Sequence, residues 1–232
     1  SVLAVPMLIY FVGMADAHVA IGTSALAVSL SALINLVPHA RAGHVRWRTA
    51  LLFAAAGVVG ALGGSTLGKA LGGGKLLFLF AVVMMVVALL MLRPRGNGGA
   101  VPECVRPACL ARVGATAATV GGLAGFFGIG GGFLVVPGLV YSTGMPMIEA
   151  VGTSLVAVGS FGLATAGSYA ASGLVDWTIA AEFIGGGILG GWGGMLLARR
   201  LAGSRKALNL IYAATVFTVG VFVLVRNLGA FL

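Results

Sequence analysis

Long apolar runs separated by short hydrophilic breaks dominate the chain. A helix needs about 20 apolar residues to cross the hydrocarbon core of a bilayer. The runs of this length lie at roughly 17–40, 49–71, 76–92, 110–127, 148–171, 178–198 and 207–225. Two shorter runs, 1–13 and 133–143, cannot cross alone and each leads into a Gly-Met step, so we expect short re-entrant or broken helices there. The pattern predicts an all-α fold, a polytopic transmembrane helical bundle.

Short motifs in the first half of the chain recur in the same order in the second half. The matched pairs are Val2–Pro6 with Phe133–Pro137, Gly13-Met14 with Gly144-Met145, Gly22-Thr23-Ser24 with Gly152-Thr153-Ser154, Val45-x-Trp47 with Val175-x-Trp177, and Gly57/Gly60/Gly64 with Gly187/Gly190/Gly194. We therefore predict two homologous transmembrane repeats, 1–92 and 110–232, joined by a basic cytoplasmic linker at 93–109. Because Ser1 aligns with Gly132, we expect the first repeat to lack a counterpart of the 110–127 helix. Duplicated halves are typical of secondary transporters, whose sites lie at the repeat interface.

The distribution of basic residues favours an inverted arrangement of the two repeats. With inversion, the basic breaks 41–48, 93–112 and 199–206 lie on one face of the membrane, and three basic residues lie on the other. Cytoplasmic segments of membrane proteins carry an excess of Lys and Arg, which assigns the first face to the cytoplasm. A four-helix unit copied unchanged would be parallel, and this is the alternative.

Composition agrees with a lipid-facing surface. Of the 232 residues, 59% are hydrophobic and 8% are charged, whereas a soluble domain has roughly 25% charged residues. The net charge of +9 lies in the breaks between apolar runs, next to lipid headgroups, so we predict no nucleic-acid partner. The chain has no H-E-x-x-H, G-x-S-x-G or P-loop motif, and we expect neither an enzyme nor a cofactor. Cys104 and Cys109 are too few ligands for a metal site, and we expect free thiols.

Neutral groups must hold any anionic cargo, because the centres of the predicted spans contain almost no charge. The glycines at 128–132 let a ligand approach the backbone closely, and the helix that follows would direct its free N–H groups at a cavity. The repeated Gly-Thr-Ser motif places adjacent hydroxyls near the start of a long span in each half. The candidate substrate-binding residues are Gly130, Gly131, Gly132, Thr153, Ser154, Thr23 and Ser24. Close helix packing, which also uses Gly, Ser and Thr, is the alternative explanation.

Three ionisable residues are candidates for coupling to a proton or a cation. Glu182 is the carboxylate predicted to lie within the hydrocarbon, where ionisable residues are usually functional. Its depth below Trp177 is only about 8 Å by helical rise, so contact with headgroups is the alternative. His18 and Glu149 align across the repeats near the Gly-Met turns, with interfacial solvation as their alternative. The longer glycine runs, with one glycine at about every turn, predict helix contacts.

The motifs resemble those of a known family. Phe127–Pro137, followed by Gly144-Met145-Pro146 and Ala150–Ser154, resemble the signature of the TauE/SafE sulfite exporter family of membrane permeases, and Val2–Ser24 is similar to the same pattern. The resemblance implies two related halves of about four helices each. It also implies transport of sulfur-containing anions such as sulfite, thiosulfate, sulfoacetate or other organosulfonates across a cytoplasmic membrane.

The resulting hypothesis is a multi-pass protein of the inner membrane that exports small sulfur-containing anions by alternating access. Its partners would be a small sulfur oxyanion or sulfonate, membrane lipid, and a coupled proton or cation. A passive anion channel and a non-transporting membrane subunit are the alternatives.

Overall fold

The computed structural model describes residues 3–71, 73–92, 107–128, 130–201 and 205–227. Within these ranges the chain forms nine α-helices and no strand, which confirms the all-α prediction. The helices are α1 (Ala4–Tyr10), α2 (Ala17–Arg41), α3 (Trp47–Lys69), α4 (Gly73–Leu92), α5 (Pro107–Phe127), α6 (Gly132–Thr143), α7 (Met147–Ala170), α8 (Trp177–Leu201) and α9 (Arg205–Asn227). Each predicted apolar run coincides with one helix. The predicted linker at 93–109 lies mostly outside the described residues.

Several helices are suited to a membrane. By length and composition, α2, α3, α7 and the 110–127 part of α5 could each cross a bilayer. Shorter apolar stretches occur in α4, α6 and α9. With 12 residues, α6 rises about 18 Å, which is well short of the roughly 30 Å hydrocarbon core. The described part of the chain therefore combines helices that are long and apolar enough to cross a bilayer with at least one that is too short to cross.

Local sequence explains where key helices begin and end. The Asp16 carboxylate caps α2 by accepting a backbone N–H of the first turn at 2.7 Å. Asp176 caps α8 in the same way, accepting two N–H groups at 3.0 and 3.1 Å. Helix α6 lies between Gly131 and Gly144, whose φ angles of 72° and 71° are in the left-handed region that favours glycine. These residues fix where α2, α6 and α8 begin and where α6 ends.

Glycines allow close contact between helices. A Cβ atom on Gly60 or Gly64 of α3 would collide with backbone carbonyls of α5, which confirms the predicted helix contact there. In the second glycine run, Gly187 of α8 lies against α2. Gly190 and Gly194 have nothing within 4 Å of a Cβ position in the part of the chain that the structure describes, so the contact predicted for them is not formed there.

Helices α2 and α7 cross the bundle side by side in opposite directions. Gly22, near the start of α2, packs against Tyr169 near the end of α7. Gly152, near the start of α7, packs against His44, which follows α2. Because both glycines lie at the contact, the two helices approach closely along much of their length.

Helix α3 runs in the same direction as α7, and α8 in the same direction as α2. For α3 and α7, the hydrogen bonds that show this join Arg46 N to Thr153 Oγ1 (3.1 Å) and Ser65 Oγ to Ser168 Oγ (3.1 Å). For α8 and α2, they join Asp176 N to Thr23 Oγ1 (2.9 Å) and Asn35 Nδ2 to the Gly187 carbonyl oxygen (3.4 Å). The bundle therefore has two ends. The "Arg46 end" holds the starts of α3 and α7, and the "Asp176 end" holds the starts of α2 and α8.

Helix α6 runs back along α5. Gly138 of α6 packs beside Val120 of α5, and the Arg112 guanidinium donates to the Ser142 carbonyl at 2.8 Å. The two helices form an antiparallel pair whose connecting turn contains three glycines with positive φ: Gly128, Gly130 and Gly131. This turn brings the start of α6 into the middle of the bundle.

Candidate binding cavity

A cavity of about 570 Å³ lies between α1, α2, α7 and α8, beside the start of α6. Its polar wall residues are Ser31 and Asn35 of α2, Ser154 of α7 and Glu182 of α8. The other wall residues are Leu3, Ala4, Met7, Ala27, Val28, Ala32, Gly132, Leu155, Val158, Phe183, Gly186 and Gly187. A concave, mostly apolar space with a few convergent polar groups is typical of small-molecule sites.

The glycine turn before α6 lies at this cavity. Gly132, the first residue of α6, forms part of the wall. Gly131 precedes it in the left-handed conformation, and a Cβ on Gly130 would lie 3.4 Å from Val28 Cγ1 of the wall. The first N–H groups of a helix have no partner within the helix, and the positive end of the helix dipole favours an anion. The predicted turn is therefore close to a space that an anion could enter.

The two serines of the repeated motif make equivalent hydrogen bonds. The Ser154 hydroxyl, in the cavity wall, donates to the Val151 carbonyl at 2.8 Å. The Ser24 hydroxyl is fully buried and donates to the Ile21 carbonyl at 2.9 Å. Each hydroxyl keeps its acceptor lone pairs, and donation to an anion requires rotation away from the helix carbonyl.

The two threonines of the motif bind loops across the bundle. Thr23 Oγ1 accepts the backbone N–H of Asp176, and Thr153 Oγ1 accepts that of Arg46. Both threonines are fully buried and neither belongs to the cavity wall. These hydroxyls attach the loop before α8 to α2 and the loop before α3 to α7.

The three coupling candidates occupy different surroundings. Glu182 lies in the cavity wall. Glu149, in the first turn of α7, forms an ion pair with the Arg46 guanidinium at the Arg46 end. The Nδ1 atom of His18 is buried and has no hydrogen-bond partner among the described residues. Of the three, Glu182 is the one that shares a space with the candidate binding groups.

Two polar wall residues, Ser31 and Asn35, were absent from the predicted set. The Asn35 side-chain amide donates to the Ser31 carbonyl at 2.8 Å and to the Gly187 carbonyl of α8 at 3.4 Å. Residues four apart in a helix lie on one face. Their four-residue spacing is the signal in the sequence that places both side chains on one face of α2.

Metal binding has no support in the described part of the chain, which contains no group of three or more His, Cys, Asp or Glu side chains placed to hold an ion. Cys104 and Glu103 lie outside the described residues, as does the side chain of Cys109. The prediction of free thiols therefore stays a prediction.

Comparisons with known proteins point to one family. The family described as "Sulfite exporter TauE/SafE" matches residues 1–223. A "Probable membrane transporter protein" of Xylella fastidiosa (strain Temecula1 / ATCC 700964) is 49% identical over 229 residues, which cover 98% of this chain and 87% of that protein. The "Probable membrane transporter protein YunE" of Bacillus subtilis (strain 168) is 27% identical over 218 residues, 88% of this chain and 79% of that protein. No solved structure gives a significant match.

Proposed function

The chain belongs to the TauE/SafE sulfite exporter family of membrane transporters, as its motifs predicted, and from this premise we propose that it is a secondary carrier that exports small sulfur-containing anions through the cavity. Sulfite, thiosulfate and organosulfonates are the proposed cargo. The observation that carries the proposal is the composition of the cavity wall, which offers a helix start and the hydroxyls of Ser31 and Ser154, and whose one charged side chain among the described residues is the carboxylate of Glu182.

Such a wall suits an oxyanion that must later be released. A hydrogen bond to a charged group is worth about 1.5–3 kcal/mol, so three bonds contribute roughly 6 kcal/mol. A net binding free energy of this size corresponds to a Kd between about 1 μM and 1 mM. A buried arginine or lysine would add to the affinity and slow the release. Moderate binding by neutral groups therefore favours a carrier.

The size of the cavity admits the whole proposed substrate class. A volume of about 570 Å³ equals that of roughly 19 water molecules at about 30 Å³ each. An organosulfonate fits into this space, and sulfite fits together with bound water. Selection among these anions would then depend on the placement of Ser31, Asn35 and Ser154, which line the wall.

Reciprocal contacts at a constant spacing support two homologous repeats. Three contacts between the halves each occur twice. Adding 130 to the residue number in the first half, and subtracting 130 from the number in the second half, converts one contact of each pair into the other. The pairs are Gly22–Leu174 and Gly152–His44, Thr23–Asp176 and Thr153–Arg46, and Gly57–Phe161 and Gly187–Ser31. Reciprocity of this kind is what a two-fold rotation generates. Because the counterparts α2 and α7 are antiparallel, the axis would lie in the membrane plane and the repeats would be inverted.

This arrangement supports an orientation in the inner membrane. Arg41–Arg48 and Arg112 lie at the Arg46 end of the bundle. The positive-inside rule assigns that end to the cytoplasm. Glu182 lies five residues after the start of α8, at the opposite, Asp176 end. The part of the cavity beside Glu182 would therefore face the outside of the cell. The short α6 would then act as a re-entrant helix that enters from the cytoplasmic face with α5.

Glu182 would couple the anion to a proton. At a separation of about 6 Å and an effective dielectric constant of about 20, two like unit charges repel by about 3 kcal/mol. Protonation of the carboxylate removes this repulsion. Binding of the anion and binding of a proton at Glu182 would therefore favour each other, which is the requirement for coupled transport.

Thermal unfolding of the purified protein tests the proposal. Sulfite, thiosulfate, sulfoacetate, taurine, sulfate, phosphate and chloride are compared. A ligand at 100 times its Kd stabilises the native state by about 2.7 kcal/mol, which for a chain of this size raises the Tm by roughly 5–11 °C. We expect stabilisation by one or more sulfur anions, and its loss in a Ser31→Ala/Ser154→Ala variant.

The matched control is Thr119→Ala, which removes an exposed hydroxyl outside the cavity wall and should keep the full shift. Flux of the stabilising anion into liposomes then separates a carrier, whose rate saturates with concentration, from a channel, whose rate does not. An equal response to all anions, or an unchanged shift in the double variant, contradicts the proposed site.

A further inference from the structure

The cavity has a counterpart in the other half of the molecule. Shifting its wall residues by 130 gives a second set of positions on α3, α6 and α7 together with the part of α2 near the axis. Three side chains at these positions differ in character, with Phe161 in place of Ser31, Thr165 in place of Asn35 and Leu52 in place of Glu182, whereas Phe53 corresponds to another phenylalanine, Phe183. Phe53 lies near the start of α3, so this "counterpart site" lies toward the Arg46 end.

Phe161 fills the counterpart site. Its ring packs directly on Gly57, where a Cβ atom would collide with the ring. It also stacks on Phe53, with ring centroids 6.2 Å apart and an interplanar angle of 23°. Both phenylalanines are fully buried. In the open cavity, the equivalent contact with α8 is made by the much smaller Ser31, and the difference in side-chain volume is space that a ligand can occupy there.

Thr165 lies one helical turn beyond Phe161, behind the aromatic pair. It is 0% exposed, and its hydroxyl has no hydrogen-bond partner in the part of the chain that the structure describes. Buried side-chain polar groups rarely lack a partner, so such an exception needs an explanation. Its counterpart, Asn35, is a polar wall residue of the open cavity.

We propose that Thr165 belongs to a second site for the same class of sulfur oxyanion, closed here by Phe161 and Phe53. The inference rests on the proposed function. Alternating access in such carriers comes from rocking or gating of one repeat against the other, and across a two-fold axis this motion would close the cavity at one end and open its counterpart at the other. When the cavity closes at the Asp176 end, the aromatic pair separates, the counterpart site opens toward the Arg46 end, and the Thr165 hydroxyl donates to an oxygen of the anion.

The two sites meet at the axis. Val28 and Val158 are counterparts of each other under the shift of 130, and both line the open cavity. An anion between them is next to both sites, so it passes from one to the other over a short distance. This is the geometry expected for a carrier whose substrate site lies at the interface of its repeats.

Accessibility of a cysteine at position 165 tests the inference. Thr165→Cys is introduced into the full chain together with Cys104→Ser and Cys109→Ser, and reaction with a membrane-impermeant maleimide is measured with and without Phe161→Ala. We expect the thiol to react at least about tenfold faster in the Phe161→Ala background, because reaction requires an accessible thiolate. Ser31→Cys, in the open cavity, is the positive control and should react in both backgrounds.

Phe80→Leu is the matched control for general loosening, since Phe80 is equally buried, packs on Phe127 and Phe133, and lies outside both sites. It should leave the thiol at position 165 unreactive. Where Phe161→Ala does not fold, Gly57→Ala provides a second variant that displaces the ring without removing it.

The outcomes separate this inference from the proposed function. A thiol that stays unreactive, or that Phe80→Leu exposes equally, overturns the second site regardless of any thermal shift. The anion that stabilises the wild-type protein should also slow the reaction of the exposed thiol. A thiol that becomes reactive without such protection shows that the second site does not bind the anion. Failure of every sulfur anion to stabilise the wild type instead counts against the proposed substrate, and the Phe161-dependent exposure still reports the closed space.

Discussion

Alanine at Gly22 or Gly152 should destabilise the protein, and the two replacements should act alike. A Cβ on Gly152 would lie 2.5 Å from the His44 carbonyl oxygen, and one on Gly22 would lie 2.9 Å from Tyr169 Cβ and collide with the Leu174 carbonyl. Overpacking of this kind costs about 1–3 kcal/mol. Movement of the loop also weakens the neighbouring threonine hydrogen bond, worth about 1 kcal/mol.

Helix propensity opposes this loss, since alanine is favoured over glycine inside a helix by about 1 kcal/mol. The net loss is therefore about 1–3 kcal/mol for each variant. For a chain of this size, a change of 1 kcal/mol shifts the Tm by about 2–4 °C, so we expect each Tm to fall by roughly 2–12 °C. Thermal unfolding in detergent, followed by tryptophan fluorescence, measures the shift.

Gly167→Ala in α7 and Gly185→Ala in α8 are the matched controls. Both glycines are helical and have nothing within 4 Å of a Cβ position, so alanine should leave the Tm unchanged or raise it by about 2–4 °C through helix propensity alone. A Gly22→Ala or Gly152→Ala variant that unfolds at or above the wild-type temperature would refute the close contact. A clear drop in only one of the two would refute their equivalence, and with it the two-fold relation.

Three further predictions concern the polar residues. Glu182→Gln should tighten anion binding by up to about 100-fold, because it removes a repulsion of about 3 kcal/mol. It should also abolish the pH dependence of the Kd measured by calorimetry. A Kd equal to that of the wild type at every pH would exclude coupling through this residue. Thr23→Val and Thr153→Val should each lower the free energy of unfolding by about 1–3 kcal/mol, because each leaves a backbone N–H without its acceptor. Unfolding temperatures equal to that of the wild type would contradict the role of these threonines in holding the loops. Asn35→Ala should raise the Kd for the anion by about two- to tenfold, less than the full value of a hydrogen bond to a charged group, because the amide must release the Gly187 carbonyl before it donates to the anion. A Kd unchanged in titration calorimetry would remove Asn35 from the site.

The helices and their limits could be predicted from the sequence because their causes are local. Lipid offers no hydrogen-bond partners to the backbone, so an apolar run of about 20 residues must form a helix. The predicted run 148–171 corresponds to Met147–Ala170, and 133–143 corresponds to Gly132–Thr143. Glycine was predictable at the α6 turn for a similar reason, since the left-handed backbone conformation there excludes most other residues.

The candidate site was only partly predictable, because the role of a hydroxyl depends on the helix that it faces. Ser154 and Gly132 line the cavity, whereas Thr153, adjacent to Ser154, is turned toward the loop before α3 and accepts the Arg46 N–H. Adjacent residues in a helix point about 100° apart, so one motif presents its members to different neighbours. The sequence placed the motif near the start of a long span in each half and could not say which member would face open space.

By itself, the sequence determined that this is an all-helical membrane protein of one transporter family, through apolar runs and motifs that act over a few residues. Only the tertiary structure decided which side chains border open space. Ser31 of α2 borders a cavity, whereas Phe161, which the proposed repeats match to Ser31, is buried against Gly57 and Phe53. Whether a side chain fills a space depends on how closely distant helices approach, and that distance is set by the packing of the whole bundle.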